Sequence, residues 1–423
     1  MKLSHNADIT KHVLSMEKRD EIQDSWLKER LDNIIIEAMD KAELTLWITI
    51  SKEYNEDPLV DSLTPRLHDE TRRLGFIIFH YNKENQTLNR YWIGVPHPGL
   101  NGYYDFIWDR KKEDEWSCLK HLIETINPDK IGINNSQNYA VADGLSHSLY
   151  QQLTSTLGEF WSSRLVTSEK AVIHWFLKRS PSEMSFYPFL SNLTLDIAKK
   201  ALSNEVIIPG TTTCLEVVNW IRQTVLDLGL KTSFYPTIDV QRPGSGVDRL
   251  SETTIQYGDI VHIDIGLTYL GISTDMQQLA YVLKPNEKEV PTGLKEALKK
   301  ANQFSDIVMS HFKVASNGNE IFERSIQDAQ EQSLSAMLYS HPVGVHCHEV
   351  GPTIGLFDRQ ERIPIRGDLE VIEHSAYALE FNIKSYIPEW NQETFIYLEQ
   401  PIAILNQTPV YLCPRQEEFY IIN

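Results

Sequence analysis

The stretch "YGDIVHIDIGLTYLGISTDMQQLAYVL", residues 257–283, decides how the carboxy-terminal half of the chain folds. Over residues 261–266, apolar and polar or small residues alternate with the period of a half-buried strand. A connection over residues 267–272 leads to a second predicted strand over residues 273–283. The stretch is therefore predicted to form a β-hairpin.

Two carboxylates, Asp264 and Asp275, lie within this otherwise apolar hairpin. Side chains that face each other across paired strands lie about 5 Å apart. Two bare carboxylates at that distance repel, and one of them retains its proton. A divalent cation removes this conflict, so the pair indicates a metal site. Taken alone, the pair is equally compatible with two solvated turn aspartates.

Three histidines cluster in a second motif, "YSHPVGVHCHEVGPTIG", residues 339–355. They are His341, His346 and His348, with Glu349 beside them. Neutral imidazole is a common ligand of divalent transition metals, whereas a single histidine is more often structural. Three histidines downstream of an aspartate pair favour the metal site. We interpret His346 as a neighbour only, because its odd offset points it away from the ligand face.

Two late strands are each predicted to carry one glutamate. The segment "SAYALEFNI" (375–383) alternates around Glu380, and "ETFIYLEQPIAIL" (393–405) sets Glu399 within an apolar run. A glutamate inside a buried strand is costly unless something neutralises it. The aspartate pair, one histidine and these two glutamates form a five-ligand set, which would fit two divalent cations that share bridging carboxylates.

Composition excludes several classes of protein. The net charge of −18 argues against a nucleic-acid or anionic-membrane surface, since either requires a basic patch. No run approaches the 18 or more apolar residues that a membrane span needs. The four cysteines lack CxxC spacing, and the first residues show no apolar run of a signal peptide. We therefore expect reduced thiols in a cytoplasmic protein.

The length of 423 residues predicts two domains. Strands and helices alternate up to about residue 165, which is typical of a compact α/β domain, whereas helices dominate from residue 166 to the hairpin. The polar segment 51–58 is interpreted as a solvated strand exit. We predict an α+β protein with an amino-terminal α/β domain, residues 1–165, and a catalytic domain, residues 166–423.

The five residues Asp264, Asp275, His341, Glu380 and Glu399 resemble, in order and spacing, the ligands of the pita-bread metallopeptidase family. That family comprises Xaa-Pro aminopeptidases, prolidases and methionine aminopeptidases, with creatinase as a metal-free relative. "GDIVHIDIG", "STD" and "HPVGVHCHEVG" are similar to its two aspartate motifs and its histidine motif. The resemblance implies a pita-bread catalytic domain. The first domain resembles the smaller domain of the aminopeptidase, prolidase and creatinase branch.

The resemblance also implies a role for each ligand. Asp264 would chelate one ion, His341 and Glu380 the other, and Asp275 and Glu399 would bridge the two. The implied cofactors are two divalent metal ions, with manganese expected first and cobalt, zinc or iron as alternatives. In the family's chemistry the metals lower the pKa of a shared water, and the resulting hydroxide attacks the scissile carbonyl.

Two residues are implied as catalytic. Glu380 would shuttle a proton to the leaving amine, and His348 would stabilise the tetrahedral intermediate beside the substrate carbonyl. The resemblance therefore implies an exopeptidase that hydrolyses Xaa-Pro bonds, of the aminopeptidase P or prolidase type. Its expected partners are a proline-containing peptide and a second copy of the chain, because two-domain relatives often form homodimers.

The sequence departs from the family pattern at several positions. The segment "RPGSGVDRLSE" offers Val247 or Asp248 where the family places a substrate-facing histidine. Gln278 and Tyr397 occupy positions that often hold arginine, and "EFN" replaces Glu-Pro-Gly. None of these changes removes a ligand. They leave a second hypothesis open, a catalytically weak or inactive member that binds a peptide or protein. Metal-free, creatinase-like hydrolysis is disfavoured because all five ligand types are present.

Overall fold

The computed structural model describes residues 13–68 and 70–423. The chain divides into two compact units between Ser180 and Pro181, and Leu14 groups with the second unit, where its backbone N–H donates to the Tyr269 hydroxyl at 2.9 Å. The sequence pattern predicts an earlier domain boundary, at 165/166.

The amino-terminal unit is an α/β sandwich around one sheet. The sheet has six strands in the order β4-β3-β2-β1-β5-β6, with antiparallel pairs at β1/β2 and β2/β3 and parallel pairs elsewhere. Its elements are α1 (Met16–Lys41), β1 (Leu46–Lys52), α2 (Val60–Leu63), β2 (Leu74–Asn82), β3 (Thr87–Gly94), β4 (Asp105–Phe106), α3 (Glu115–Ile126), β5 (Ile131–Ile133), α4 (His147–Ser162), β6 (Leu165–Thr167) and α5 (Glu169–Leu177).

The last elements of this unit explain where the two compact units divide. Strand β6 extends the sheet by pairing with β5, and helix α5 packs against α1. The Arg30 guanidinium of α1 lies 4.1 Å from the ring centroid of Trp175 in α5 and donates to the Lys178 carbonyl at 2.8 Å. Residues 166–180 therefore stay with the first unit, because these pairing and packing partners lie in it.

A buried polar network corrects the interpretation of segment 51–58 as solvated. Ser51 and Asp57 are both buried, each about 2% exposed. The Asp57 backbone N–H donates to Ser51 Oγ at 2.9 Å, and Asn134 Nδ2 donates to Asp57 Oδ2 at 2.8 Å. Burial raises the pKa of Asp57 to about 6. The chain between these residues is exposed or half-buried, but its two anchoring side chains are buried.

The carboxy-terminal unit is built on a nine-stranded sheet. Six of its strands lie side by side in the order β13-β15-β16-β12-β9-β8. The other three, β14, β17 and β18, pair with β15, β16 and β12 respectively. The elements are α6 (Pro181–Ala201), α7 (Cys214–Asp227), β7 (Lys231–Thr232), β8 (Thr237–Gln241), β9 (Ile260–Ile265), β10 (Leu267–Tyr269), β11 (Ile272–Ser273), β12 (Met276–Val282), α8 (Thr292–His311), α9 (Gly318–Glu331), β13 (Ser335–Leu338), β14 (His341–Val343), β15 (Ala376–Ile387), β16 (Gln392–Leu405), β17 (Thr408–Tyr411) and β18 (Tyr420–Ile422).

The predicted hairpin of residues 257–283 is confirmed, with two corrections. Strands β9 and β12 pair antiparallel, and Asp264 lies opposite Gln277. Asp275 therefore does not lie on the second strand: it immediately precedes β12, which begins at Met276. The predicted connection contains strand β10, which pairs with β11 and β7 in a separate three-stranded sheet. The two aspartates are thus diagonal neighbours, not direct cross-strand partners.

Helices cover the β15 and β16 part of the large sheet. The ring of Phe304 in α8 meets Phe381 of β15 edge-to-face, with centroids 5.2 Å apart, and Phe312 meets Tyr377 at 5.1 Å. Such edge-to-face pairs are a favourable aromatic geometry. Across the described ranges, no helix is both long enough and apolar enough to cross a bilayer.

Candidate metal centre

Strand register brings the five predicted ligands to one region of the large sheet. Glu380 on β15 lies directly opposite Glu399 on β16, and His341 on β14 lies opposite Ala378, two residues before Glu380. On the other side, Gln277 of β12 lies opposite both Glu399 and Asp264. Asp275 immediately precedes β12, and one of its carboxylate oxygens lies within 4.8 Å of ligand atoms of Asp264 and Glu399.

The side chains of all five residues converge. His341 Nε2 lies 3.6 Å from Asp275 Oδ2 and 3.7 Å from both Glu380 Oε2 and Glu399 Oε1. Two sets of three groups could each hold an ion, with ligand atoms within 4.8 Å of one another: His341, Glu380 and Glu399, and Asp264, Asp275 and Glu399. Glu399 belongs to both sets, so the arrangement can hold two ions side by side with a shared carboxylate.

Unsatisfied buried atoms test whether the residues fit a metal. Buried oxygens of Asp264, Asp275 and Glu399 and the buried Nε2 of His341 have no hydrogen-bond partner. Buried polar atoms are almost always paired, because an unpaired one carries an uncompensated loss of hydration. Here the unpaired atoms are lone-pair donors aimed at one another. Divalent cations are the group that such a donor set accommodates.

The electrostatics of the cluster lead to the same conclusion. The pKa values of Asp275, Glu380 and Glu399 are raised well above their usual range, mainly by burial and secondly by repulsion from neighbouring carboxylates. Burial also raises the pKa of Asp264 to about 6. Burial and the nearby His348 lower the pKa of His341 to about 3. A neutral imidazole is the form that binds metal, and a bound cation stabilises the ionised carboxylates. The nearby positive charge therefore does not offset the burial of these carboxylates.

The other histidines of the motif have different environments. His348 is exposed, and its ring stands edge-to-face on His341 with centroids 4.4 Å apart. A nitrogen of His348 also forms a third possible metal group with Asp275 and His341. His346 Nδ1 lies 3.2 Å from both oxygens of Glu349, which gives it a partner outside the cluster.

Sequence reasoning missed two residues that contact the ligands. Gln277 Nε2 donates to Glu380 Oε1 at 2.6 Å, and the Cys347 thiol donates to Asp275 Oδ2 at 2.9 Å. The available signal for Gln277 was its position two residues after Asp275, which places it on the same face of the strand.

The segment that lacks the expected histidine provides an arginine. Val247 and Asp248 are exposed. Arg249, the next residue, lies with its guanidinium 4.6 Å from the ring centroid of Tyr397 and forms a two-point contact with Asp239. The positive charge of Arg249 lowers the pKa values of Asp264 and Glu380, although burial outweighs it. Arg249 is therefore the residue of this segment that acts on the cluster.

Residues 192–396 match the sequence signature of metallopeptidase family M24, and this range contains four of the five converging residues. The carboxy-terminal unit belongs to the M24, or pita-bread, metallopeptidase family. Among curated proteins, none matches the chain significantly. The M24 assignment therefore depends on the family signature and on the fold.

Solved structures of M24-like architecture match nearly the whole chain. The X-Pro aminopeptidase of Thermotoga maritima has a TM-score of 0.64 and 14% identity, covering 90% of this chain and 98% of that one. The Xaa-Pro dipeptidase of Bacillus anthracis (0.61, 16%) and the prolidase of Pyrococcus horikoshii (0.56, 17%) each cover 93% of this chain and 99% of theirs. At these identities the likeness shows the fold alone. It confirms the predicted α+β class and pita-bread fold.

Proposed function

We propose that this M24 protein is a dinuclear-metal exopeptidase that hydrolyses Xaa-Pro peptide bonds, of the aminopeptidase P or prolidase type. The observation that carries the proposal is the convergence of Asp264, Asp275, His341, Glu380 and Glu399, in which buried donor atoms of all but Glu380 have no hydrogen-bond partner. Asp264 would hold one ion, His341 and Glu380 the other, and Asp275 and Glu399 would bridge. The metal itself is proposed to be manganese, with cobalt, zinc or iron as alternatives.

Bound divalent ions would lower the pKa of a water molecule and polarise the scissile carbonyl. Around them, the chain's own residues orient the substrate and move protons. His348 is exposed beside His341, where its ring N–H can donate to the oxygen that becomes negative as the carbonyl is attacked. Glu380 is a carboxylate of the cluster and can carry a proton to the leaving amine.

A second candidate is a weakly active or inactive family member that binds a peptide or protein. The observation that favours it is the arginine-containing segment in place of the expected substrate-facing histidine, since Arg249 is engaged with Asp239. Loss of a substrate-orienting group lowers turnover without removing a metal ligand. The two candidates therefore make the same prediction for metal binding and opposite predictions for hydrolysis.

Elemental analysis combined with peptide hydrolysis tests the proposal. The purified chain is loaded with manganese or cobalt, and turnover is measured on Ala-Pro and on a longer Xaa-Pro peptide. Cleavage of Ala-Pro alone would indicate a prolidase type, and release of the first residue from the longer peptide an aminopeptidase type. Two bound ions without turnover of either substrate would favour the binding candidate. Failure to retain any ion would overturn the metallopeptidase proposal.

Two further parts of the proposal concern location and assembly. We propose that the protein acts in the cytoplasm, which agrees with the four cysteines being unpaired. We also propose a homodimer. Subcellular fractionation tests the first part, and light scattering of the purified chain during gel filtration tests the second.

A further inference from the structure

A chain of buried polar side chains ends on the proposed ligand Glu380. Gln277 Nε2 donates to Glu380 Oε1 at 2.6 Å, and Gln277 Oε1 lies 3.0 Å from His262 Nε2. Gln277 is 4% exposed and His262 is 1% exposed. Buried polar groups in such surroundings are strongly constrained, because each loses a partner if it turns away.

The chemistry of the end groups fixes how the amide of Gln277 is oriented. Glu380 would be ionised when it binds a cation, and an ionised carboxylate oxygen only accepts hydrogen bonds, so the amide NH₂ of Gln277 faces Glu380. The amide oxygen of Gln277 then faces His262, whose Nε2–H must donate to it. The orientation of one buried amide is thus set from both sides.

An ion pair anchors the far end of the chain. His262 Nδ1 lies 3.0 Å from Asp239 Oδ2 and 3.0 Å from Arg249 Nη2. Arg249 binds Asp239 through two nitrogens, with Nε 2.9 Å from Oδ1, and its guanidinium lies over the ring of Tyr397. Two-point arginine–carboxylate contacts are geometrically specific, so they hold His262 in one orientation.

We propose that Gln277 is a positioning residue for metal binding. It occupies Oε1 of Glu380 and leaves Oε2, 3.7 Å from His341 Nε2, as the one Glu380 oxygen that can bind the ion shared with His341 and Glu399. His262, Asp239 and Arg249 hold Gln277 in place. The inference rests on the proposed function, because it assumes that Glu380 is a ligand.

The adjacent glutamine provides a matched control. Gln278 is the next residue of β12, is fully buried, and accepts a hydrogen bond from the Tyr420 hydroxyl at 2.8 Å. It faces away from Gln277, because successive residues of a strand point to opposite sides. A change at Gln278 therefore carries a similar packing and hydrogen-bond cost without altering Glu380.

Metal titration of the full-length apoprotein tests the proposal. Manganese binding is measured by calorimetry on wild type, Gln277→Met and Gln278→Met, with thermal unfolding of each apoprotein as a check of folding. Residues that orient metal ligands typically change affinity about 10- to 100-fold. We expect Gln277→Met to weaken the binding of one of the two ions by about that factor and to leave the affinity for the other unchanged. Gln278→Met should bind both ions with wild-type affinity.

A second pair of variants tests the chain behind Gln277. His262→Leu removes the donor to the Gln277 oxygen and should weaken the binding of the same ion. His262→Gln keeps a side-chain N–H donor and should retain most of the wild-type affinity for that ion. A purely structural role would not separate these two variants. If Gln277→Met fails to fold, the comparison of His262→Leu with His262→Gln decides the matter.

The outcomes separate this inference from the proposed function. The inference is overturned if folded Gln277→Met binds two ions with unchanged affinity. If Gln277→Met does not fold, the same result in His262→Leu overturns it. Either result leaves the metallopeptidase proposal standing. No ion bound by the wild type would overturn both.

Discussion

Glu380 and Glu399 are direct cross-strand neighbours on the paired strands β15 and β16. Like charges in that relationship destabilise a sheet, and Glu399 is only 1% exposed. His341 Nε2 is equally far from a carboxylate oxygen of each, at 3.7 Å. Repulsion between these carboxylates therefore destabilises the carboxy-terminal unit without metal, and bound cations would stabilise it.

Removal of divalent metal should lower the thermal stability of the protein. A ligand that binds only the folded state adds about 2.7 kcal/mol at a concentration 100 times its dissociation constant. We expect manganese to raise the unfolding temperature of chelator-treated protein, and expect no such rise in a Glu380→Gln/Glu399→Gln control. Equal unfolding temperatures of the wild type with and without saturating manganese would contradict the proposed centre.

Asp275→Asn should abolish peptide hydrolysis. Asp275 would bridge the two ions, and an amide cannot supply two anionic oxygens. Turnover with saturating manganese should fall at least about a hundredfold, the scale on which loss of a group that fixes the reacting geometry is felt. Asp248→Asn, an exposed aspartate outside the cluster, is the matched control. An unchanged rate in the metal-loaded Asp275→Asn variant would reject the bridging assignment.

His348→Ala should lower turnover and leave the metal content unchanged. The side chain is proposed to stabilise developing negative charge, and removal of one such donor typically costs about 10²- to 10³-fold in rate. Parallel elemental analysis of His348→Ala, His341→Ala and His346→Ala checks the assignment. His341→Ala should lose an ion and His346→Ala should change neither property. Loss of an ion in His348→Ala would instead make His348 a ligand, as the group with Asp275 and His341 allows.

The stability of the amino-terminal unit should fall as the pH rises from about 4 to about 6 because of Asp57. Burial raises the pKa of Asp57 from 3.8 to about 6, so the folded state binds a proton that the unfolded state releases in this window. The stabilisation is complete below pH 3.8 and lost above about pH 6, a change of about 3 kcal/mol. Urea unfolding of wild type and Asp57→Asn at several pH values measures it. Parallel pH profiles of the two proteins would contradict the assignment.

Local pattern predicted most of the elements near the site. The strands predicted to carry Asp264, Glu380 and Glu399 all form. Helix α9 was not predicted, because few of its residues are strongly apolar. Its capping box, in which Asn317 and Glu320 exchange hydrogen bonds, was nevertheless readable in the sequence.

The sequence by itself pointed to Asp264, Asp275, Glu380, Glu399 and one histidine of the 341–348 cluster, because strand periodicity and histidine spacing are local properties of the chain, and the family resemblance selected His341. Only the tertiary structure decided what surrounds them. The contact of Gln277 with Glu380 joins residues 103 positions apart, and the one between Arg249 and Tyr397 joins the loop after β8 to the distant strand β16. The register of long-range strand pairs sets these contacts, and no periodicity within a single segment encodes that register.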